Sequence, residues 1–255
     1  MNIERRLLLP IAGIMLLASC ASHYRLTNVE RTRVLIDSRY DNHPDTETAA
    51  FMHPYKQVVD SLMSPVAGHC AEYLSSHRPE SKLSNLFADI LIWGAREFNE
   101  KPDFSVYNIG GIRAAFGQGA VTYGDILDAA PFENKICFLT LPGTQVTELF
   151  RQIAARGGEG LSHSVRLVVS PEGQLRTATV NGQPIDPAKA YRIATLDYVA
   201  EGNDGMTAFK HKTQVVSPQG TQANIREFII KYFQAQEAAG KTVDARVEGR
   251  FTVQP

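Results

Sequence analysis

Four stretches of the chain carry apolar residues at steps of three and four, the spacing of one helix face. Over 45–63 the pattern contains Pro54, which predicts a break or a late helix start. Residues 81–98 give the clearest pattern, and Ser81 is a suitable N-cap. The remaining helices are predicted at 145–156, closed by Gly157 and Gly158, and at 222–239, closed by Gly240, with a short helix between Thr122 and Pro131 that opens with a capping box to Asp125.

Apolar alternation and short apolar runs predict strands between these helices. Turn signals such as Asn181-Gly182 place hairpins between some of them. Helices and strands mix without strict βαβ alternation, which favours an α+β fold of mixed β-sheets flanked by helices over a doubly wound parallel sheet. No linker rich in Pro, Gly or Ser divides 37–255, so we predict one domain there. The predicted strands are 103–109, 135–141, 164–169, 174–180, 190–196 and 245–253.

The first residues have the pattern of an export signal. Two arginines at 5–6 precede an 11-residue apolar stretch at 7–17, which is too short to span a membrane as a helix. The stretch ends in a lipobox-like Leu-Ala-Ser-Cys, so we predict a lipoprotein signal peptide over 1–19 and lipidation of Cys20. The alternative is ordinary cleavage near Ser19 and a soluble secreted product. Lipidation would anchor the protein to a membrane of the bacterial cell envelope, on the periplasmic or the surface side.

The rest of the composition restricts the possible partners. The 255-residue chain has a formal net charge of −1 and no long basic run, which argues against nucleic acid as a partner. Residues 20–36 are polar and mixed, as expected for a tether that runs into a first strand. Cys70 and Cys137 remain in the body of the protein. A disulfide between them is permitted in an oxidising compartment, and two separate buried thiols are the alternative.

Two short segments have residue types that bind anions. In 108–113 (NIGGIR) adjacent glycines leave backbone N–H groups uncovered, and Arg113 offers a rigid fork of donors. This combination fits an anion or sugar site, and it also fits a tight turn beside a surface charge. In 80–85 a helix N-terminus lies beside Lys82, which fits an anion site or ordinary capping.

Two further segments could supply flat apolar surfaces. Residues 130–135 place Phe132 at a proline-fixed bend, although such a ring often packs into the core. Residues 195–205 place Tyr198 after a strand and before a Gly-Asn-Asp-Gly loop, which is also the composition of a turn. Together the two rings fit a heteroaromatic base that carries a sugar. The polar groups available to such a ligand are those of Asn108, Arg113 and Asp204.

In this order, 108–113, 131–134 and 197–205 look like the signature of the C-terminal, substrate-binding domain of the 5'-nucleotidase and UDP-sugar hydrolase family. The likeness covers about 37–253. It also includes the segments 80–85, 119–126, 141–143 and 190–195.

This resemblance implies roles for particular residues. Phe132 and Tyr198 would sandwich the base, and Arg113 would meet ribose or phosphate. Two departures affect the likeness: Ser84 stands for a usual glycine, and Asn203 stands for the second glycine of the loop, where asparagine tolerates positive φ. Asn108 and Asp204 would bond the base or ribose, and Lys82 stands where some members have an arginine, although lysine lacks the bidentate fork.

Full-length members of the family cleave phosphate with a separate N-terminal metallophosphatase domain that holds two divalent ions. The set of Asp-x-His, Gly-Asn-His-Glu/Asp and Gly-His-x-His signals is missing here, because Asp41-Asn42-His43 lacks the glycine and every companion and is interpreted as a polar turn before Pro44. The other histidines show no zinc-ligand spacing. We therefore expect the nucleoside- or nucleotide-binding half of a phosphohydrolase of nucleotide catabolism, without catalytic residues, metal or cofactor of its own. The metal would belong to a metallophosphatase on a separate chain. The alternatives are a stand-alone nucleoside or nucleotide-sugar binding lipoprotein and a degenerate, non-binding envelope module.

Overall fold

A computed structural model describes residues 25–39, 41 and 45–255, so the predicted signal peptide and Cys20 lie outside the described residues. The chain divides into two units, 1–51 and 52–255. The predicted limits of tether and domain at 36 and 37 stay predictions. In the parts of the chain that the structure describes, no helix is long and apolar enough to cross a membrane.

The described part of the first unit has no regular secondary structure before residue 46. Residues 25–36 are exposed and form no strand, so the strand expected at the end of the tether is absent there. Leu26 and Ile36, its apolar side chains at either end, are almost fully exposed. A strand needs a partner to satisfy its backbone groups, and none of the described strands pairs with this segment.

Helix α1 (Thr46–Met63) runs unbroken through Pro54, so the predicted break is wrong. The Asp45 carboxylate accepts hydrogen bonds of 3.1 Å from two N–H groups of its first turn, which fixes the start of the helix. Its apolar stripe is not part of a core, because Val58, Val59 and Leu62 are each more than half exposed. The spacing correctly predicted a helix, but it carried no information on what covers the apolar face.

The remaining helices, with one exception, lie close to the predicted positions. α2 (Lys82–Gly94) continues as a 3₁₀ turn over Ala95–Phe98, and its N-cap is Ser81 as predicted. The predicted capping box of Thr122 and Asp125 is confirmed at the start of α3 (Tyr123–Ala129). The other helices are α4 (Gly143–Ala155), the single-turn α5 (Asp197–Ala200), which was not predicted, and α6 (Ile225–Ala238).

The strands of the described residues form three sheets. Their bounds are β1 (Val66–Cys70), β2 (Phe104–Tyr107), β3 (Gly119–Thr122), β4 (Ile136–Pro142), β5 (Gly160–Leu161), β6 (Val165–Val169), β7 (Leu175–Val180), β8 (Gln183–Pro184), β9 (Ala190–Leu196), β10 (Thr213–Val216) and β11 (Phe251–Val253).

The main sheet has five strands in the order β10-β4-β9-β2-β5. β2 and β9 are parallel, with Phe104 opposite Ile193, and the other pairs are antiparallel. A second sheet has the order β11-β6-β7-β8, and β1 pairs with β3. The α+β prediction with mixed sheets is confirmed. The predicted strand at 245–253 shortens to β11, and β1, β3, β5, β8 and β10 were not predicted.

The main sheet packs against helices through aromatic side chains. Phe104 of β2 meets Phe150 of α4, with ring centroids 5.3 Å apart, and Phe138 of β4 meets Phe98 at 5.7 Å. The first three of these rings are fully buried. Burying an aromatic side chain removes about 150–250 Å² from water, so these contacts hold the sheet rigidly beneath the loops at its edge.

Cys70 and Cys137 are both free and buried, so the structure has two separate thiols and no disulfide between them. Burial raises the pKa of the Cys70 thiol to about 12 and that of Cys137 to about 11. Both therefore stay protonated at neutral pH and act as small apolar core residues.

Candidate functional site

Three loops converge at one edge of the main sheet. β2 and β9 run parallel, so the loops that follow them leave from the same edge. β4 runs antiparallel to β9, so the loop that precedes β4 reaches that edge as well. The three predicted segments, 108–113, 131–134 and 197–205, are these three connections, and the last of them begins with the single-turn helix α5. The sheet topology therefore explains why motifs so distant in sequence meet.

The loop after β2 presents Asn108 at the base of the site. Asn108 is 4% exposed and precedes a 3₁₀ turn over Ile109–Gly111. Its Nδ2 donates to Asp204 Oδ2 at 2.7 Å, whereas its buried Oδ1 has no hydrogen-bond partner among the described residues. Because a buried acceptor without a partner is costly, this oxygen marks a place where a ligand donor would be favoured.

The loop before β4 is held by the start of α6. Arg226 donates to the Phe132 carbonyl at 3.0 Å and pairs with the Glu133 carboxylate. The Ile225 N–H donates to the Asn134 carbonyl at 3.0 Å. These bonds fix the backbone while the Phe132 ring projects outward, 42% exposed. The Arg113 guanidinium lies 5.4 Å from the centre of that ring, a cation–π contact.

The loop after β9 presents Tyr198 and Asp204. Asp197 Oδ1 accepts from the N–H groups of Lys135 and Tyr198, which ties this loop to the start of β4. Tyr198 is 43% exposed. Asp204 has a left-handed φ of 54°, and Asn203 does not have a positive φ. The positive φ expected of Asn203 therefore belongs to Asp204, and the Asn203 side chain instead donates to the Tyr198 carbonyl at 2.8 Å.

These loops surround a cavity of about 280 Å³. Five of the six predicted ligand-binding residues line it, and both rings are among these five. The volume lies close to the lower end of the range of about 300–1,000 Å³ common for small-molecule pockets, so the cavity is of the size class that binds small ligands. The lining residues are Asn108, Gly110, Gly111, Arg113, Phe132, Asn134, Tyr198 and Asp204.

The sequence profile of the family described as 5'-nucleotidase, C-terminal domain, matches residues 66–211, more than half of the chain. The chain belongs to this family. The match includes all three loops around the cavity, so the family's fold and the cavity coincide in the same part of the chain.

Relatives and solved structures agree with this assignment. The silent protein UshA(0) of Salmonella typhimurium (strain LT2) is 25% identical over 223 residues, which are 86% of this chain and 40% of that protein. Protein UshA of Escherichia coli (strain K12) is 29% identical over 144 residues, 55% of this chain and 26% of that protein. The structure of a 5'-nucleotidase precursor from Thermus thermophilus matches with a TM-score of 0.70 and 25% identity over 83% of this chain. This chain covers 44% of that structure's chain, so it spans less than half the length of these relatives.

The structure does not bring Lys82 to the cavity of this 5'-nucleotidase C-terminal domain. Its Nζ lies 2.5 Å from a carboxylate oxygen of Glu72, and it is absent from the cavity lining. The segment 80–85, which contains Lys82, forms the start of helix α2 instead. There the Ser84 hydroxyl accepts a hydrogen bond from the Ser81 N–H at 3.2 Å. The substitution of glycine by serine at 84 is therefore accommodated as a helix cap.

Sequence reasoning assigned no role to Asn134, which lines the cavity. In the sequence, the feature that could have indicated this role is the position of Asn134 within the predicted ligand-binding segment 131–134. A second cavity of about 430 Å³ shares only Asn134 and Tyr198 with the first. Apart from Tyr198, no predicted ligand-binding residue lines it, so the smaller cavity is the candidate site. Within the described ranges, no group of three or more His, Cys, Asp or Glu residues could hold a metal ion.

The two glycines of the loop after β2 provide a matched pair of substitutions. A Cβ at Gly111 would lie 2.9 Å from Asn108 Oδ1, whereas a Cβ at Gly110 would meet nothing within 4 Å. Gly111→Ala must displace the Asn108 amide, so we expect it to lower the free energy of unfolding by about 1–2 kcal/mol. Gly110→Ala is the control and should change it little. Urea unfolding of both variants measures the difference, and equal effects would contradict the close contact at Asn108.

Proposed function

We propose that this domain binds the nucleoside portion of a nucleotide, with the base between Phe132 and Tyr198. The observation that carries the proposal is that two aromatic side chains, each about two-fifths exposed, line one small cavity. Large apolar side chains are usually buried in a folded protein, so a pair held outward by fixed loops favours a ligand with a flat face. The family to which the chain belongs supports the same ligand class.

The polar groups of the cavity favour a ligand that has both donors and negative charge. Asn108 Oδ1 and the Asp204 carboxylate are acceptors, so they match the hydroxyl groups of a ribose or the amino group of a base. Arg113 is an exposed cation on the same rim, and a guanidinium favours phosphate. A nucleoside with a phosphate satisfies both requirements.

Removing either ring should weaken binding. Stacking of an aromatic side chain on a base contributes about 1–3 kcal/mol, so we expect Phe132→Ala and Tyr198→Ala each to raise the Kd for adenosine or uridine roughly fivefold to 150-fold. Isothermal titration calorimetry measures this change.

Tyr73→Ala is the matched control, because Tyr73 is an exposed aromatic residue outside the cavity lining. It should leave the Kd unchanged. Full retention of affinity in both ring variants would refute the assignment of the base site, whereas equal losses in all three variants would point to a general effect on the fold.

We propose further that hydrolysis of the bound nucleotide depends on a metallophosphatase on another chain. The described residues offer no cluster that could hold the two metal ions such chemistry needs. The longer relatives include proteins named 5'-nucleotidase, and this chain matches 32% of the length of the one from Vibrio cholerae. The domain would then provide substrate selectivity, and its partner would provide the reaction.

Affinity purification of the tagged protein from its own cell envelope tests this partnership. We expect a metallophosphatase in the eluate and release of phosphate from a nucleoside monophosphate by the eluate with a divalent metal. The protein purified alone should release none. Comparable phosphate release by the isolated chain and by its Phe132→Ala variant would show contamination, and release by the isolated wild type alone would contradict the two-chain proposal.

We propose that Cys20 carries a lipid that holds the domain at an envelope membrane. The support is the lipobox-like sequence that ends at this cysteine. We expect metabolically supplied radioactive palmitate to label the wild-type protein and to leave Cys20→Ser unlabelled. Equal labelling of both proteins, or labelling of neither, would exclude this anchor.

A further inference from the structure

A buried carboxylate outside the cavity ties together the groups that form its polar side. The Glu159 side chain is fully buried. Its Oε1 accepts from Arg156 Nε at 2.9 Å and also pairs with Arg78, and its Oε2 accepts from the Ile109 N–H at 2.6 Å. A buried carboxylate is tolerated only with such partners, so its position is strongly determined.

Three glycines allow this carboxylate to lie inside the protein. Glu159 is flanked by Gly158 and Gly160 in the run that follows α4. A Cβ at Gly158 would collide with the Pro79 carbonyl, and one at Gly160 would lie 2.8 Å from the Ser84 carbonyl. Gly157 and Gly158 both have left-handed φ values. The backbone on both sides of Glu159 therefore passes too close to neighbouring carbonyl groups for any residue with a Cβ. This close packing places the Glu159 carboxylate inside the protein.

Two of the residues that bind Glu159, Ile109 and Arg156, lie next to residues that line the candidate site. Ile109 follows Asn108 and begins the glycine turn of the cavity. Arg156 Nη2 lies 3.7 Å from Asp204 Oδ1, and Asp204 Oδ2 accepts from Asn108. Glu159 therefore binds the backbone N–H next to Asn108, and it takes the Nε donor of the guanidinium whose Nη2 lies 3.7 Å from Asp204.

We propose that Glu159 is a positioning residue that sets the ligand selectivity of the cavity by holding Arg156 away from Asp204. The proposal rests on the proposed function in taking Asp204 as a ligand acceptor. While Glu159 takes the Nε donor of Arg156, the contact with Asp204 stays long, and Asp204 Oδ1 remains available to a ligand hydroxyl. Without the Glu159 charge, Asp204 is the nearest carboxylate for Arg156, and closing this contact would remove the acceptor from the ligand.

Glu159→Gln tests the proposal with little change in shape. An amide cannot accept from two arginines and from the Ile109 N–H at once, because one of its ends carries only donors. We expect the Kd for adenosine to rise about tenfold. The preference for adenosine over its 2',3'-dideoxy analogue should fall with it, since the lost acceptor faces hydroxyl groups. Glu97→Gln is the control, because Glu97 pairs with Lys231 away from the cavity.

A double-mutant cycle separates positioning from general destabilisation. In the Asp204→Asn background, Glu159→Gln should raise the Kd by less than about twofold, because the acceptor that Glu159 protects is already altered. An equal effect of Glu159→Gln in both backgrounds would overturn the proposal. If Glu159→Gln does not fold, Arg156→Lys tests the same contact with the opposite expectation. A lysine ammonium lacks the fork that reaches both carboxylates, so Asp204 keeps its acceptor and the Kd for adenosine should change by less than about twofold. A tenfold rise in this variant would overturn the proposal.

A measurement without ligand distinguishes this inference from the proposed function. We expect Glu159→Gln to shift the NMR signals of the Asn108 side-chain amide and to speed hydrogen exchange of the Ile109 N–H. The shift should vanish in the Asp204→Asn background. If the wild type binds no nucleoside, the proposed function fails, and this cycle still decides the role of Glu159. Unchanged Asn108 signals and unchanged Ile109 exchange would overturn it.

Discussion

The hydrogen bond from Asn108 Nδ2 to Asp204 Oδ2, 2.7 Å long, is the contact on which the candidate site depends. It joins two loops that leave the parallel strands β2 and β9 at the same sheet edge. Since a carboxylate only accepts, Asn108 must donate to it through Nδ2 and therefore keeps Oδ1 as an acceptor. One buried bond thus fixes which groups the cavity offers to a ligand, and the cavity of this 5'-nucleotidase C-terminal domain favours a ligand with donors.

The main sheet below the loops is tightly packed, whereas two aromatic rings on the loops are exposed. Phe104, Phe138 and Phe150 are fully buried and hold the sheet, whereas Phe132 and Tyr198 stay outward on loops fixed by Arg226 and Asp197. An exposed ring does not gain the free energy of apolar burial, so its packing does not hold the loop in place. Hydrogen bonds to the loop backbones hold them instead. We infer that binding a flat base would return part of that burial, since both rings line the same small cavity.

Local patterns predicted the elements whose formation depends on neighbours in sequence. Helix α2 and strand β9 follow from the spacing of their apolar residues. The exposure of α1, the pairing of β1 with β3 and the short edge strand β10 depend on residues far away along the chain, so spacing could not reveal them. The same limit applies to the site. The residue types of the three loop motifs indicated a ligand site. The pattern around Lys82 is also that of an ordinary helix start, and Lys82 lies away from the cavity. Around Glu159, the flanking glycines are the feature visible in the sequence, and they do not indicate a link to the site.

A crystal structure of the protein with adenosine bound would show whether the two exposed rings form a base site. We expect the base to lie between the rings of Phe132 and Tyr198, with a ligand N–H or O–H within hydrogen-bond distance of Asn108 Oδ1. Adenosine bound only in the neighbouring cavity beside Glu201 and Ser217, or a base that contacts neither ring, would contradict this expectation.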